Sequence, residues 1–445
     1  MGASPEVIRA AYETHTVYQR PAFLAPETTG TKETVVITES NWKDFLGDER
    51  YYQAYVAFFS KLLLSGTHNA LQSVMDDYIF STNANLVLGK NGTKPVMLSR
   101  FLAGFLHPLI HTGYGAEFGL PGLAAEGLAQ AAAHRVEAES VFTPKFFGSP
   151  SASGPLSRLS SLLHFPTPAS RSDVPPPDVH ALSVLARVAK EPAFEAKNVG
   201  LPVPREQLQK SVDLVVDHAG AKLMEYAEQW TKTVRPERNV LVRKFEEIVW
   251  VNTVVYGVGG WGGRSLGGDE QERFNADFFC MHGVTSALMV APLLSTLSAN
   301  SAALLLRTYF IFSLVLYVAR GRPAIPIQEF YTSTSPYPSP PGPKTQAAKE
   351  TLEPFALPNP WLPIIQTTLV HLDEHLCKAQ RALLHFAECF GGLDAGAFAS
   401  CGLDGADVLD GTLFARVASL TADRLGWMRE GEEKRGWDFK GLFEA

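Results

Sequence analysis

A run of residues near the C-terminal end, Val370-His371-Leu372-Asp373-Glu374-His375-Leu376-Cys377-Lys378-Ala379, sets two imidazoles and an amine at i, i+4 and i+7. On a helix, side chains three and four positions apart lie above one another, so His371, His375 and Lys378 share a face. The same face carries Ile364, Thr368, Ala382 and Phe386. Beside it runs an apolar stripe of Ile365, Leu369, Leu372, Leu376 and Leu383, which is expected to face the core, with Asp373 turned towards water. Basic groups that border a core-facing stripe must be paired, neutral or bound to something. A metal ion is the economical partner.

A second pair, His107 and His111, again stands at i, i+4 and leads into Thr112-Gly113-Tyr114-Gly115-Ala116-Glu117. Pro108 disfavours α conformation at His107, so a helix kinks or restarts there, where side chains can converge on a pocket. The plainer reading makes one or both of these histidines satisfied core residues. His282, in Asp277-Phe278-Phe279-Cys280-Met281-His282-Gly283, is the third candidate, although a lone histidine among aromatic and sulfur side chains is more often core than ligand. Asp277 suits either orienting a neighbouring imidazole or capping a helix. Lys378 is open to two readings. Burial lowers an amine's pKa, and a neutral amine adds carbon dioxide to give a carbamate, whose oxygens are anionic metal ligands. Alternatively it forms a salt bridge with a carboxylate such as Glu117 or Glu126. His134 closes an alanine-rich helix, where imidazolium would suit the helix dipole.

The elements that must hold these groups are mainly helical. Residues 51–64, 96–106, 123–136, 205–233, 237–256, 285–319 and 361–390 are each long enough for a helix and match strict alternation poorly. Residues 33–37 read best as a strand, and 248–256 are ambiguous. Pro/Ser-rich stretches mark a surface loop insertion at 148–177 and a connector at 333–343. The fold class is mostly α, with residues 1–445 as one large helical domain. Gly257-Val258-Gly259-Gly260-Trp261-Gly262 satisfies G-x-G-x-x-G, but a polar loop follows it and no βαβ pattern surrounds it, so a flexible glycine-rich loop is expected.

Composition narrows the function. With 46% hydrophobic and 19% charged residues the 445-residue chain is globular in character. A net charge of −7 with scattered Lys and Arg sets nucleic-acid binding aside. Four cysteines without a C-x-x-C pair fit free thiols in a reducing compartment. The N-terminus lacks a signal-peptide pattern, which points to the cytoplasm. Residues 308–319 are apolar between Arg307 and Arg320, too short a run to span a bilayer, and are expected to form a buried helix.

Taken together, the sequence resembles the questin oxidase-like family of fungal oxygenases. The resemblance rests on Gly2-Ala3-Ser4-Pro5-Glu6, Tyr18-Gln19-Arg20, His107-Pro108-Leu109-Ile110-His111 with Gly113-Tyr114-Gly115, residues 126–134 and 277–286, Arg320-Gly321-Arg322-Pro323 and His375-Leu376-Cys377-Lys378. These stretches are spread over most of the chain in order. The first histidine pair and the final H-x-x-K are the specific elements. The resemblance implies an oxidoreductase that opens a ring of an anthraquinone or related aromatic polyketide with dioxygen, by Baeyer–Villiger-type chemistry. It also implies a mononuclear non-haem iron held by one of His107 and His111, by His282 and His375, and by Lys378 as a carboxylated lysine. Some members are described as NADPH-dependent, and NADPH would here be an external electron donor, since flavin and nicotinamide fingerprints are absent. Oxygen would enter at an electron-rich carbon of a phenolic substrate, and a carbon–carbon bond beside a carbonyl would break. Tyr114 or Glu117 would move the phenolic proton.

In the family a stretch of the type H-N-H-x-x-H-H precedes Gly-Ala-Ser-Pro-Glu, whereas Met1 stands at that point here, so either the true start lies upstream or one element, and with it one ligand, is expected to be missing. Two rival readings remain: a non-catalytic homologue serving as a binding or assembly partner in the pathway, and a nicotinamide-dependent reductase using residues 257–262.

Overall fold

The computed structural model describes residues 4–16, 35–65, 69–136, 147, 178–204, 208–263, 274–342 and 359–443. Twelve helices of eight residues or more run through them: α1 (Pro5–Thr16), α2 (Tyr52–Leu63), α3 (His107–Phe118), α4 (Pro121–Ala133), α5 (Ala181–Lys190), α6 (Leu208–Thr231), α7 (Arg238–Gly262), α8 (Phe278–Thr296), α9 (Ala299–Ala319), α10 (Trp361–Thr368), α11 (Glu374–Phe390) and α12 (Leu413–Leu425). No strand occurs among the described residues, so the mostly helical expectation holds. The described part of 33–37 is not a strand, and the ambiguous 248–256 lie inside α7. The Pro/Ser-rich insertion at 148–177 lies outside the described residues. Of the connector, residues 334–342 are non-helical.

A helix that is apolar all round belongs in the middle of a protein. α8, α9 and the second half of α7, from Ile248 on, have that character and form the centre. α7 packs on α8, α9, α5 and α12, while α8 also carries α3 on one side and α11 on the other. By length and composition α8 and α9 could each cross a membrane, yet 72% and 83% of their most apolar windows are buried against the rest of the protein. Residues 308–319 thus sit in a buried helix.

Two long helices expected from the sequence are interrupted. The 285–319 segment breaks at Leu297 and Ser298, where the Ser298 hydroxyl accepts from Ser301 N and starts α9. The 361–390 segment breaks between α10 and α11, because Asp373 accepts from the backbone N–H groups of His375 and Leu376 and caps a new helix. The glycine run 257–262 is also different from the expectation: it is the last turn and a half of α7, not a loop. A Cβ on Gly257 would stand 2.2 Å from Val417 Cγ2, so this glycine lets α12 approach. A buried helix cannot wrap a dinucleotide, and the reductase reading loses its motif.

Glycines also notch the helices that carry the histidines. A Cβ on Gly113 of α3 would lie 2.5 Å from Met289 Cβ and 2.7 Å from Met289 O of α8. On α4, a Cβ on Gly127 would meet Thr112 Oγ1 at 2.3 Å. α3 is therefore clamped closely between α4 and α8.

Candidate functional site

His107 opens α3 from an unusual turn. Gly104, Phe105 and Leu106 are all left-handed (φ 55°, 56° and 69°), and Pro108 occupies the first turn, where its missing N–H costs nothing. The turn brings the Gly104 carbonyl to 2.6 Å from His107 Nδ1. His282, one turn into α8, has the same arrangement with the Phe278 carbonyl, 2.7 Å from Nδ1. A carbonyl only accepts, so Nδ1 carries the proton in both rings and Nε2 keeps its lone pair. That is the tautomer of a histidine poised to bind a metal. His375, in the first turn of α11, has Nδ1 3.3 Å from Glu374 Oε1, which favours the same tautomer.

The three rings form a row. The centroid of His282 is 5.2 Å from that of His107 and 5.4 Å from that of His375. A first-row metal about 2.0–2.1 Å from each Nε2 would hold neighbouring ring centroids roughly 4.5–5.2 Å apart, so the two spacings lie at and just beyond that range, and the three rings would have to draw together to share an ion. Burial drives His282 well below the ordinary histidine pKa, with the His107 charge adding to it, and lowers His107 as well. His375 falls to about 4 through burial and the Lys378 charge. All three are neutral imidazoles at neutral pH, the form that binds metal.

His111, one turn beyond His107 with ring centroids 6.4 Å apart, is likewise pushed down to about 4, by burial first. Its Nδ1 stands 3.3 Å from Gln130 Nε2 and 3.9 Å from Glu126 Oε2. Lys378 reaches the same space: its charge acts on His107, His111, His282 and His375, and burial lowers its own pKa. The carboxylates whose charges act on it are Glu374 and Asp373 of its own helix end, since Glu117 pairs with Arg381 and Glu126 lies beside His111. The two partners named from the sequence, Glu117 and Glu126, are thus engaged elsewhere.

Other expectations are corrected. His371 is not stacked below His375. The helix break turns its Nε2 to the Leu425 carbonyl at 3.1 Å, while its Nδ1 accepts from Asp373 N at 3.0 Å. Leu369 and Leu372 do not face the core but are 54% and 59% exposed, because they sit in that break. Asp373 is not solvated: it caps α11 and accepts from Trp437 Nε1 at 3.0 Å. One of its oxygens, one oxygen of Glu374 and one nitrogen of His375 lie within 4.8 Å of one another, but Asp373 Oδ1 is already occupied by the cap and the indole. Asp277 caps α8 and pairs with Arg320 at 2.6 Å, so it orients the helix and not an imidazole. His134 does not carry charge for the helix dipole, since burial lowers its pKa.

Sequence reasoning missed the aromatic wall. Phe278 lies 4.6 Å from His282 and 4.8 Å from His375 by ring centroids, and Phe439 stacks on it at 4.7 Å. The aromatic pair after Asp277 was visible, but its partner from the far end of the chain carries no local signal. Tyr114 and Glu117 lie two and three turns along α3 from His107, against Arg381 of α11. Tyr114 is pushed up by burial, with Arg381 opposing the shift.

The sequence pattern of questin oxidase-like proteins matches residues 1–383. The chain is 29% identical over 306 residues to a Baeyer–Villiger oxidase of Pestalotiopsis microspora, covering 66% of this chain and 56% of the relative. It is 25% identical over 389 residues to the oxidoreductase AflY of Aspergillus parasiticus, covering 86% and 64%. It is 28% identical over 134 residues to the questin oxidase of Aspergillus terreus, covering 30% and 27%. The chain thus spans 56% and 64% of the length of the first two. With the match extending across all but its last portion, the chain belongs to the questin oxidase-like family.

Proposed function

We propose that the protein is an oxidoreductase of fungal polyketide metabolism that opens a ring of an anthraquinone or related aromatic substrate with dioxygen, using one non-haem iron. Relatives named Baeyer–Villiger oxidase and questin oxidase support the reaction class. The observation that carries the iron is the donor set: three neutral imidazoles whose Nδ1 atoms are engaged, with Nε2 left for a metal. His107, His282 and His375 would hold it, with His111 next to His107 and Lys378, as its carbamate, supplying an anionic oxygen. Bound iron supplies the activation of dioxygen that no side chain can provide.

The chain's own residues do the rest. The carbonyls of Gly104 and Phe278 fix the ligand tautomers, and Glu374 does so for His375. Phe278, Phe279, Phe105 and Phe439 make an apolar wall that excludes water and suits a flat substrate. Tyr114 keeps its proton at neutral pH and can donate a hydrogen bond to a quinone carbonyl. NADPH takes the role of external electron donor. The test is anaerobic titration of purified protein with ferrous iron, followed by oxygen uptake with a hydroxyanthraquinone. Iron binding at one equivalent and substrate-dependent oxygen uptake are expected. Aromatic binding without iron uptake would instead favour a non-catalytic binding partner.

A further inference from the structure

α3 and α11 both pack on α8 and meet each other through long side chains, Arg381 on Glu117, Tyr114 and Phe118, so the three helices form a trough with α8 as its floor. His282 rises from the floor. One wall presents His107, His111, Tyr114 and Phe118 at i, i+4, i+7 and i+11 of α3, and the other presents His375, Lys378 and Arg381 of α11. Both walls run the same way, from the histidines at one end to the Arg381–Glu117 ion pair at the other. At 1.5 Å per residue, the two ends are about 10 Å apart, a span comparable with a fused three-ring aromatic.

The end remote from the histidines has its own chemistry. The rings of Tyr114 and Phe118 stack nearly parallel, 10° apart with centroids at 6.0 Å. The Arg381 guanidinium lies over both, 5.9 Å and 5.5 Å from their centroids, and pairs with Glu117. Phe118 is 56% exposed and the Arg381 side chain 28%, so this flat ledge meets solvent. A guanidinium offers five donors in a planar fork, and one carboxylate does not use them all. A cation on an exposed aromatic ledge, in line with a candidate metal centre, is arranged to receive a flat molecule with an anionic edge.

We propose that Arg381 is a specificity-determining residue that binds an ionised phenol or carboxylate at the distal edge of the aromatic substrate, in competition with Glu117. The inference rests on the aromatic-substrate reading above and needs no metal. It explains why Glu117 stands there: it satisfies the guanidinium until an anionic substrate arrives. It also separates this pair from the proton transfer expected of Glu117.

The test measures binding of anthraquinone-2-carboxylate and its neutral carboxamide to the metal-free full chain, by quenching of tryptophan fluorescence. Wild-type protein should prefer the carboxylate. Arg381→Gln should weaken carboxylate binding by roughly 10–100-fold while changing the amide by less than about threefold, as expected for loss of a charge-assisted hydrogen bond. Glu117→Gln should strengthen carboxylate binding severalfold, because a competing anion is removed. A merely structural ion pair predicts the opposite: both substitutions weaken both probes together and lower the melting temperature. That result overturns the inference, as does equal binding of the two probes by wild type, which leaves the aromatic-oxygenase reading standing. Failure of both probes to bind overturns both. Arg381→Lys keeps the charge without the planar fork and should retain part of the preference, which guards against a misfolded glutamine variant.

Discussion

His107 and His282 face each other with ring centroids 5.2 Å apart, each tied through Nδ1 to a main-chain carbonyl of its own segment. Two helices remote in sequence thus deliver two lone pairs to one place, in fixed tautomers.

Removal of either ring tests the proposed iron site. His282→Ala and His107→Ala are each expected to abolish stoichiometric ferrous iron binding in an anaerobic titration. His371→Ala should leave iron affinity unchanged and cost about 1–2 kcal/mol of stability, since it deletes two hydrogen bonds that brace the turn before α11. Lost iron binding in the His371 variant would return that residue to the coordination sphere.

Lys378 discriminates between an amine and a carbamate. If it supplies an anionic oxygen, Lys378→Glu should retain partial iron binding and Lys378→Met should lose it. Depleting bicarbonate during reconstitution should lower iron content in wild type alone. Full iron content and activity in the Lys378→Met protein would exclude the carbamate.

Acid should weaken the metal-free protein in a defined window. Burial holds His111 and His375 near 4 and lowers His107 and His282 below the ordinary value. The unfolded chain takes up a proton at each as the pH falls through about 6.5, whereas the folded chain resists until much lower pH. Stability is therefore fully present above pH 6.5 and declines between about 6.5 and 4. The melting temperature should fall through that window, and less steeply in His375→Gln. A flat profile from pH 7 to 4.5 would contradict neutral burial of these rings.

The buried pair of Asp277 and Arg320 is 2.6 Å apart, with side chains 0% and 3% exposed. Asp277→Ala or Arg320→Met should each cost about 3–5 kcal/mol in chemical denaturation, because the remaining charge is stranded without water. The double substitution should cost less than the sum of the two. Simple additivity would mean that the two groups do not interact.

The helices were legible because their apolar runs are long, and the histidine elements because their spacing is regular. What periodicity could not show is the break before α11. Residues 361–390 keep a helical repeat throughout, and only the side chain of Asp373, bonded to two backbone N–H groups and to Trp437, ends one helix and starts the next. That break removes His371 from the row. The glycine run misled for a related reason. Glycine weakens an isolated helix by about 1 kcal/mol each, but close approach of Val417 and of the Asn275 carbonyl to Gly257 and Gly260 favours the helix. Likewise Gly113 is readable as a small residue, but not that Met289 fills the notch it leaves. Arg381 lay one turn beyond Lys378 and was open to the same spacing argument that found the histidines.

The segment around Trp437–Phe439 has a consequence for biosynthesis. Trp437 bonds the cap of α11, Asp438 exchanges backbone hydrogen bonds with the strand-like turn before α8, and Phe439 covers Phe278 and lends its carbonyl to Arg320. The helices that carry His282 and His375 are thus held together by residues that leave the ribosome long after either histidine. A nascent chain thus exposes both histidines well before it has the residues that align their helices.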